Sequence, residues 1–364
     1  MAGITAGTQG MGNHRTRSGQ GRGQGQGQGQ GQRHGRAPGA WLVACALLGI
    51  APAAVAQTKG QPAAEAFPLR PIRLMVPFAP GGPTDFIARV IAGRLGDRMG
   101  QPVVVDNRAG ASGNIAIQTV ARAVPDGHTL LFSSSNLVSN PLLSAVAPFD
   151  PVRDFAPISY VAVSPNIVFV HPSVPAKTAA ELVALVRSQP GKFTFGTPGT
   201  GTTPHIACEA LRLAAGVDMQ HVPYNGAAPV VSAVLGNQIP IGCTALPPTV
   251  SHVKSGALRA IAVTSARRSA VLTDVPTLVE AGFPSVIADN MQALLAPART
   301  PQSVVRRLNA EVKAILAEPD VRDRLLAVGF DLHASTPEYL ARIVREETER
   351  YAKTIRAAGI KVEQ

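Results

Sequence analysis

From residue 67 onward, short apolar runs alternate with longer stretches whose apolar residues recur every three to four positions. "IRLMVPF" (Ile72–Phe78) reads as a buried strand. Phe86, Ile87, Val90, Ile91, Leu95 and Met99 then fall at helical spacing, and Gly100 suits the helix end. "PVVVDNR" predicts a second strand and "GASGNIAIQTVARAV" a second helix opened by glycine. "HTLLFSSS" predicts a third strand ending at Ser133–Ser135. Strand–loop–helix units in this order imply a parallel, doubly wound sheet.

"SPNIVFVHP" (Ser164–Pro172) reads as a strand that leaves this domain. A helix follows, with Thr178 as its cap and Glu181 at the capping-box position. "KFTFGTPGTGTTPHIACEALRLAAG" repeats the first pattern of strand, Gly-rich loop and helix. "VPYNGAAPVVSAVLGNQIPIGCTAL" adds another helix and strand, and "LRAIAVTS" a further strand. At "ALLAPA" (Ala293–Ala298) the chain returns to the first sheet, then ends in helices over Pro301–Ala317 and Pro337–Ala358. The expected architecture is α/β with two lobes, each a doubly wound sheet flanked by helices. Lobe 1 takes residues 67–167 and 290–364, and lobe 2 takes 168–289. Between them lies a cleft whose lips are the carboxyl ends of strands, where open α/β sheets bind ligands.

Composition supports this class: 364 residues exceed one ordinary core, and aromatic residues make up only 4%. The formal charge of +11 suggests nucleic acid until its location is considered. Arg15, Arg17, Arg22, Arg33 and Arg36 precede residue 57, and no acidic residue does. Without those five arginines, 29 basic residues face 23 acidic ones, about +6, scattered and without an RNA-binding aromatic signature. A nucleic-acid role is disfavoured.

Residues 1–56 read as a disordered arm plus a signal peptide. Gly19–Gln32 is almost pure Gly-Gln repeat, with nothing to bury. Arg33 and Arg36 then precede the apolar run "AWLVACALLGIAPAAVA", which ends in a small-x-small site, so cleavage is expected after Ala56. "LVAC" ending at Cys45 also fits a lipoprotein box, although few apolar residues precede it. The arm ahead of the basic residues is unusual for a secretion signal and fits a start codon placed too early. Beyond the signal, Cys208 and Cys243 remain, either as one bridge or as two separately buried small hydrophobes.

The chemistry concentrates at the two Gly-rich helix starts. Unpaired N–H groups and about half a positive charge make a helix N-terminus an anion site. Gly81 and Gly82 leave those groups unobstructed, Pro83 fits the first helical position, and Asp85 favours hydrogen bonds that order the loop. In "GTPGTGTTPH" (Gly196–His205), Thr203 is the expected cap, and Thr200, Thr202 and Thr203 supply hydroxyl donors. His205 reads equally as a ligand contact and as a capping or packing residue. Two such loops, one per lobe, point to an anion held across the cleft. Neither has the Lys-Ser/Thr ending of a P-loop or the G-x-G-x-x-G spacing. No nucleophile–base pair or metal-ligand spacing stands out, so neither an enzyme, a cofactor nor a metal is expected.

"RPIRLMVPFAPGGPTDFIAR", "VVVDNRAGASGNIA", "GTPGTGTTPHIACEAL", "HVPYNGAAP" and "LRAIAVTSARRSAVLTDVPTLVEAG" together resemble the Bug (Bordetella uptake gene) family. "LLAPARTP", "VRRLNAEV" and "AAGIKVE" extend the resemblance over residues 67–364. It implies a periplasmic-binding-protein (Venus flytrap) fold that captures a small carboxylate, acting as a monomer. The implied partners are membrane subunits of a tripartite tricarboxylate transporter or, alternatively, a sensor protein; an exported hydrolase or isomerase is the rival of another class. By motif, Phe78, Ala79, Gly81, Gly82 and Asp85 would form one jaw. Thr200, Gly201, Thr202 and His205 would form the other, chiefly through main-chain N–H groups and waters. Ser134, Tyr224 and Asn225 would line the sides. Two departures stand out: Thr244 replaces an acid frequent in the family, and Met291-Gln292 replace Trp-Phe. Thr244 cannot pair with a ligand amine as an acid could, which favours a plain carboxylate over an amino acid.

Overall fold

The computed structural model describes residues 67–144 and 148–357. The Gly-Gln arm, Cys45 and the cleavage site after Ala56 lie outside the described residues.

The first lobe opens with β1 (Ile72–Val76), α1 (Pro83–Met99), β2 (Val103–Asn107), α2 (Asn114–Ala121), β3 (Thr129–Ser134) and the single turn α3 (Asn136–Ser139). β1 pairs in parallel with β2 and β3, as the strand–helix order predicts. α1 forms because Ile87, Ile91 and Leu95 stack on one buried face, each contributing about 1.5–3 kcal/mol. It stops at Gly100, whose left-handed backbone donates its N–H to Gly96 C=O.

The expected strand at Ser164 is the tail of a much longer one, β4 (Phe155–Val170). Its first part, through Pro165, pairs antiparallel with β9 (Asp289–Pro297); from Asn166 it pairs with lobe-2 strands. The second lobe comprises α4 (Ala179–Ser188), β5 (Phe193–Thr197), α5 (Thr203–Ala215), β6 (Met219–Pro223), α6 (Ala227–Leu235), β7 (Ile241–Ala245), α7 (Val250–Lys254) and β8 (Arg259–Val263). β5 is parallel to β6 and β7, whereas β7 and β8 run antiparallel to β4. The chain then returns through β9 to α8 (Gln302–Ala317), α9 (Pro319–Leu326), β10 (Asp331–Leu332) and α10 (Pro337–Ala357). α9 is an addition to the elements predicted from sequence. Pro319 at its first position makes a break between two helices read as the end of one.

The strand order β2-β1-β3-β9-β4-β7-β5-β6 makes β4 the element common to both lobes. In the first lobe α1 and α8 cover one face and α2 and α10 the other; in the second, α4 and α5 oppose α6. Two-lobed, doubly wound α/β architecture follows. At the junction, Asn166 Nδ2 donates to Ala288 C=O at 2.8 Å, Thr264 N–H to Asn166 C=O at 2.9 Å, and Ala288 N–H to Thr264 C=O at 3.0 Å. These bonds tie both crossings together. Cys208 and Cys243 are free thiols buried in one cluster, where Cys243 Sγ donates to Pro204 C=O at 3.2 Å.

Candidate ligand-binding site

α1, α5 and α6 start at the same cleft, because each follows the carboxyl end of a parallel strand. The cleft is lined by Phe78, Gly82, Pro83, Thr84 and Ser134 from one lobe with Asn290 at the start of β9. Pro198, Thr202, Pro204, Ala227 and Ala245 line it from the other lobe. None of these side chains carries a charge.

The first Gly-rich loop is held by Asp85. Its carboxylate accepts from Gly81 N–H at 2.9 Å, from Arg89 Nε at 3.0 Å and from Asn107 Nδ2 at 2.9 Å. Burial pushes Asp85 up, but the hydrogen bonds from Arg89, Gly81 and Asn107 and the charge of Arg89 outweigh it, and its pKa lies below the ordinary carboxylate value. Asp85 thus orders the loop from beneath, and Gly81 N–H is consumed in doing so. Gly82 caps α1 and Pro83 takes its first position, as the sequence suggests. The N–H groups of Thr84 and Asp85 have no protein partner among the described residues.

The second loop uses the same device with a different residue. His205 Nδ1 accepts from Gly201 N–H at 3.1 Å, again four residues back, so the ring is a loop-ordering acceptor. Burial, then His221 and Arg212, lower the His205 pKa to about 3, and burial lowers His221 to about 4. Their rings stack at 4.1 Å, and His221 Nε2 meets Thr197 Oγ1 at 2.7 Å. A neutral His205 offers no ion pair. The helix cap is Thr202, one residue before the expected Thr203, because Thr202 C=O already accepts from Ile206 N–H. Thr202 Oγ1 donates to Gly199 C=O at 2.7 Å, closing the loop.

The neutral histidines set an acid limit. Unfolded, both rings protonate near a pH of about 6.5, whereas the folded rings resist until about pH 4 and 3. Their stabilisation is complete above about pH 6.5 and falls by about 1.4 kcal/mol per ring and pH unit below it. Asp289 opposes this. Burial raises its pKa to about 6 against the pull of Arg350, with Glu347 and Asp331 adding to the rise, so it offsets one ring between about pH 4 and 6. Melting temperature is therefore expected to fall from pH 7.5 to pH 4.5. A His205→Gln/His221→Gln double variant should flatten that slope.

The jaws meet at their rims. Ala79 N–H donates to Asn225 C=O at 3.0 Å, and Ser139 Oγ donates to Gly201 C=O. Gly201 has φ +81°, and a Cβ there would stand 2.7 Å from Asn140 Oδ1, so a larger residue would obstruct closure. Of the residues carried over by motif, Phe78, Gly82, Ser134 and Thr202 line the cleft. Ala79, Gly201 and Asn225 form the rim, while Gly81, Asp85 and His205 shape the loops. Thr200 and Tyr224 lie outside the lining, as does Thr244, whose neighbour Ala245 takes that place; Tyr224 packs instead against the lobe-2 core. Motif reading missed Asn290, Ala227 and the lining prolines. Asn290 carried a signal, since with Asp289 and Gln292 it is one of three polar residues at the start of a strand that is apolar from Ala293 on.

A family model described as a tripartite tricarboxylate transporter family receptor matches residues 87–360. BugT of Bordetella pertussis (strain Tohama I) is 34% identical over 301 residues, covering 82% of this chain and 92% of BugT. The solved structure of R. palustris Rpa4515 with adipate is 34% identical, covers 81% of this chain and 99% of that one, and superposes with a TM-score of 0.78. MatC from Rhodopseudomonas palustris with bound malate is 32% identical, with coverages of 79% and 100% and a TM-score of 0.77. Glycine-opened helix starts facing an uncharged cleft, on this fold and with these relatives, place the chain in the Bug family of tripartite tricarboxylate transporter receptors, which are solute-binding proteins rather than enzymes.

Proposed function

We propose that this chain is exported to the periplasm and captures a small organic carboxylate between its lobes. It then presents the ligand to the membrane subunits of a tripartite tricarboxylate transporter. The observation that carries this reading is the convergence of three helix starts on a cleft with no cationic side chain among the described residues that line it. Each start contributes about 0.3–1 kcal/mol to a bound anion, and more where water is excluded. Backbone N–H donors recognise a carboxylate without needing an arginine. None of the described residues lining the cleft is an acid, so an amine has no charged partner there, which favours carboxylates over amino acids. One chain supplies both jaws, so a monomer suffices.

A thermal-shift screen against mono-, di- and tricarboxylates, amino acids and aromatic acids tests this. Adipate and malate, found in the two R. palustris structures, are the first probes. A ligand that binds only the folded state raises the melting temperature once it exceeds its Kd. A rise with one carboxylate class is expected. A rise with amino acids alone, or with none of these compounds, contradicts the proposal.

A further inference from the structure

Gln292 is completely buried in the middle of β9, in a run otherwise apolar from Met291 to Pro297. Among the described residues, neither end of its amide, Oε1 or Nε2, has a hydrogen-bond partner. Buried side-chain amides are nearly always paired, so an amide with both ends unpaired calls for an explanation. Its position supplies one. Gln292 stands opposite Ser134 in the β3–β9 register, and Ser134 lines the cleft. Directly opposed side chains share a face at about 5 Å. Asn290, two residues earlier and so on the same face, lines the cleft as well. On that face Phe132 and Leu294 come next, and both belong to the apolar core beneath α1. Gln292 is thus the next polar side chain inward from Ser134 and Asn290 on that face, fully buried just behind the cleft lining.

The chemistry of the amide narrows what it can meet. A carboxylate only accepts, so it would satisfy Nε2 and leave Oε1 bare. An ammonium only donates, so it would do the reverse. An alcohol hydroxyl donates and accepts, and one such group serves both ends. We propose that Gln292 is a specificity-determining residue that holds a hydroxyl on the ligand's carbon chain, making the preferred cargo a hydroxylated carboxylate. This rests on the carboxylate reading above and deepens it.

The test is calorimetric titration of the exported, purified chain with matched pairs: malate against succinate, and citrate against tricarballylate. Within each pair only the hydroxyl differs. The wild type is expected to prefer the hydroxylated member of at least one pair by about tenfold or more, since a site built for a hydroxyl rejects its deoxy analogue. Gln292→Met keeps the volume and removes both polar atoms. It should bring that ratio to within about threefold, by weakening the hydroxylated ligand while sparing the other. Its ligand-free melting temperature should hold or rise, because an unpaired buried amide is lost. Equal affinities within both pairs, or a ratio unchanged in the variant, would overturn the assignment. So would a ligand-free melting temperature lower by more than about 5 °C, which would make the amide structural. If no carboxylate binds the wild type, the carboxylate reading itself fails and takes this inference with it.

Discussion

Gly82→Asp is expected to abolish carboxylate binding while leaving the fold intact. Gly82 has φ −81°, which any residue adopts, and a Cβ there would lie 3.8 Å from Ala227 N and Ala79 O, in ordinary contact. Aspartate is also a favoured cap, so its carboxylate would take the Thr84 and Asp85 N–H groups that have no protein partner. Those are the donors assigned to the ligand. A second anion about 4 Å away meets about 4 kcal/mol of repulsion at an effective dielectric near 20, close to a thousandfold in Kd. Titration should show no binding, with a melting temperature equal to or above that of the wild type. His205→Gln should cost less than about tenfold, since the neutral ring orders a loop and a glutamine oxygen can accept from Gly201 N–H. Comparable losses in the two variants would return the anion to an ion pair at His205.

Asp85→Ala carries the second large effect, and it combines stability with affinity. The carboxylate is nearly buried and gathers Gly81, Arg89 and Asn107. Arg89 is about half exposed, so the ion pair alone contributes at most about 1 kcal/mol. The charge-assisted bonds to Gly81 and Asn107 contribute more, and removing the acceptor leaves both donors unpaired. We expect a loss of about 3 kcal/mol in denaturant unfolding and about thirtyfold weaker binding as the Gly81 turn loosens. Because the carboxyl pKa is depressed in the fold, its contribution is complete above about pH 4 and fades as pH falls through the native value. The wild-type advantage over the variant should therefore shrink only in strong acid. A variant that binds and melts like the wild type would remove Asp85 from the account of the loop.

Much of this was legible in the residues. The alternation of apolar strands with 3.6-period helices announces β1 to β3 and the repeat at β5 and α5, because burial on both faces leaves continuous apolar runs. Pro83 after two glycines marks a helix start by its chemistry alone, and the structure puts it at the first helical position. The same local logic misplaced the α5 cap by one residue, since Thr202 and Thr203 are equally able caps and only the loop closure to Gly199 decides between them. β4 read as a short strand because Pro157 and Pro165 interrupt its pattern; pairing with β9 and β7 carries it through both. The lining by Ala227, Ala245 and the prolines was beyond sequence reasoning. Small apolar residues carry no chemical label, and only tertiary approach brings them to the cleft. His205 reads equally as a ligand contact and as a capping or packing residue, and its acceptance from Gly201 N–H is of the second kind.

On the proposed function, backbone donors at three helix starts hold the carboxylate. Amide chemical-shift mapping tests it most directly, by titrating the 15N-labelled protein with the carboxylate that raises its melting temperature. The largest shifts are expected at the N–H groups of Thr84 and Asp85, Thr203 and His205, and Ala227 and Ala228, saturating together. Shifts centred elsewhere, such as the groove lined by Arg267, Arg268 and Asp331, with those helix starts unmoved, would contradict it.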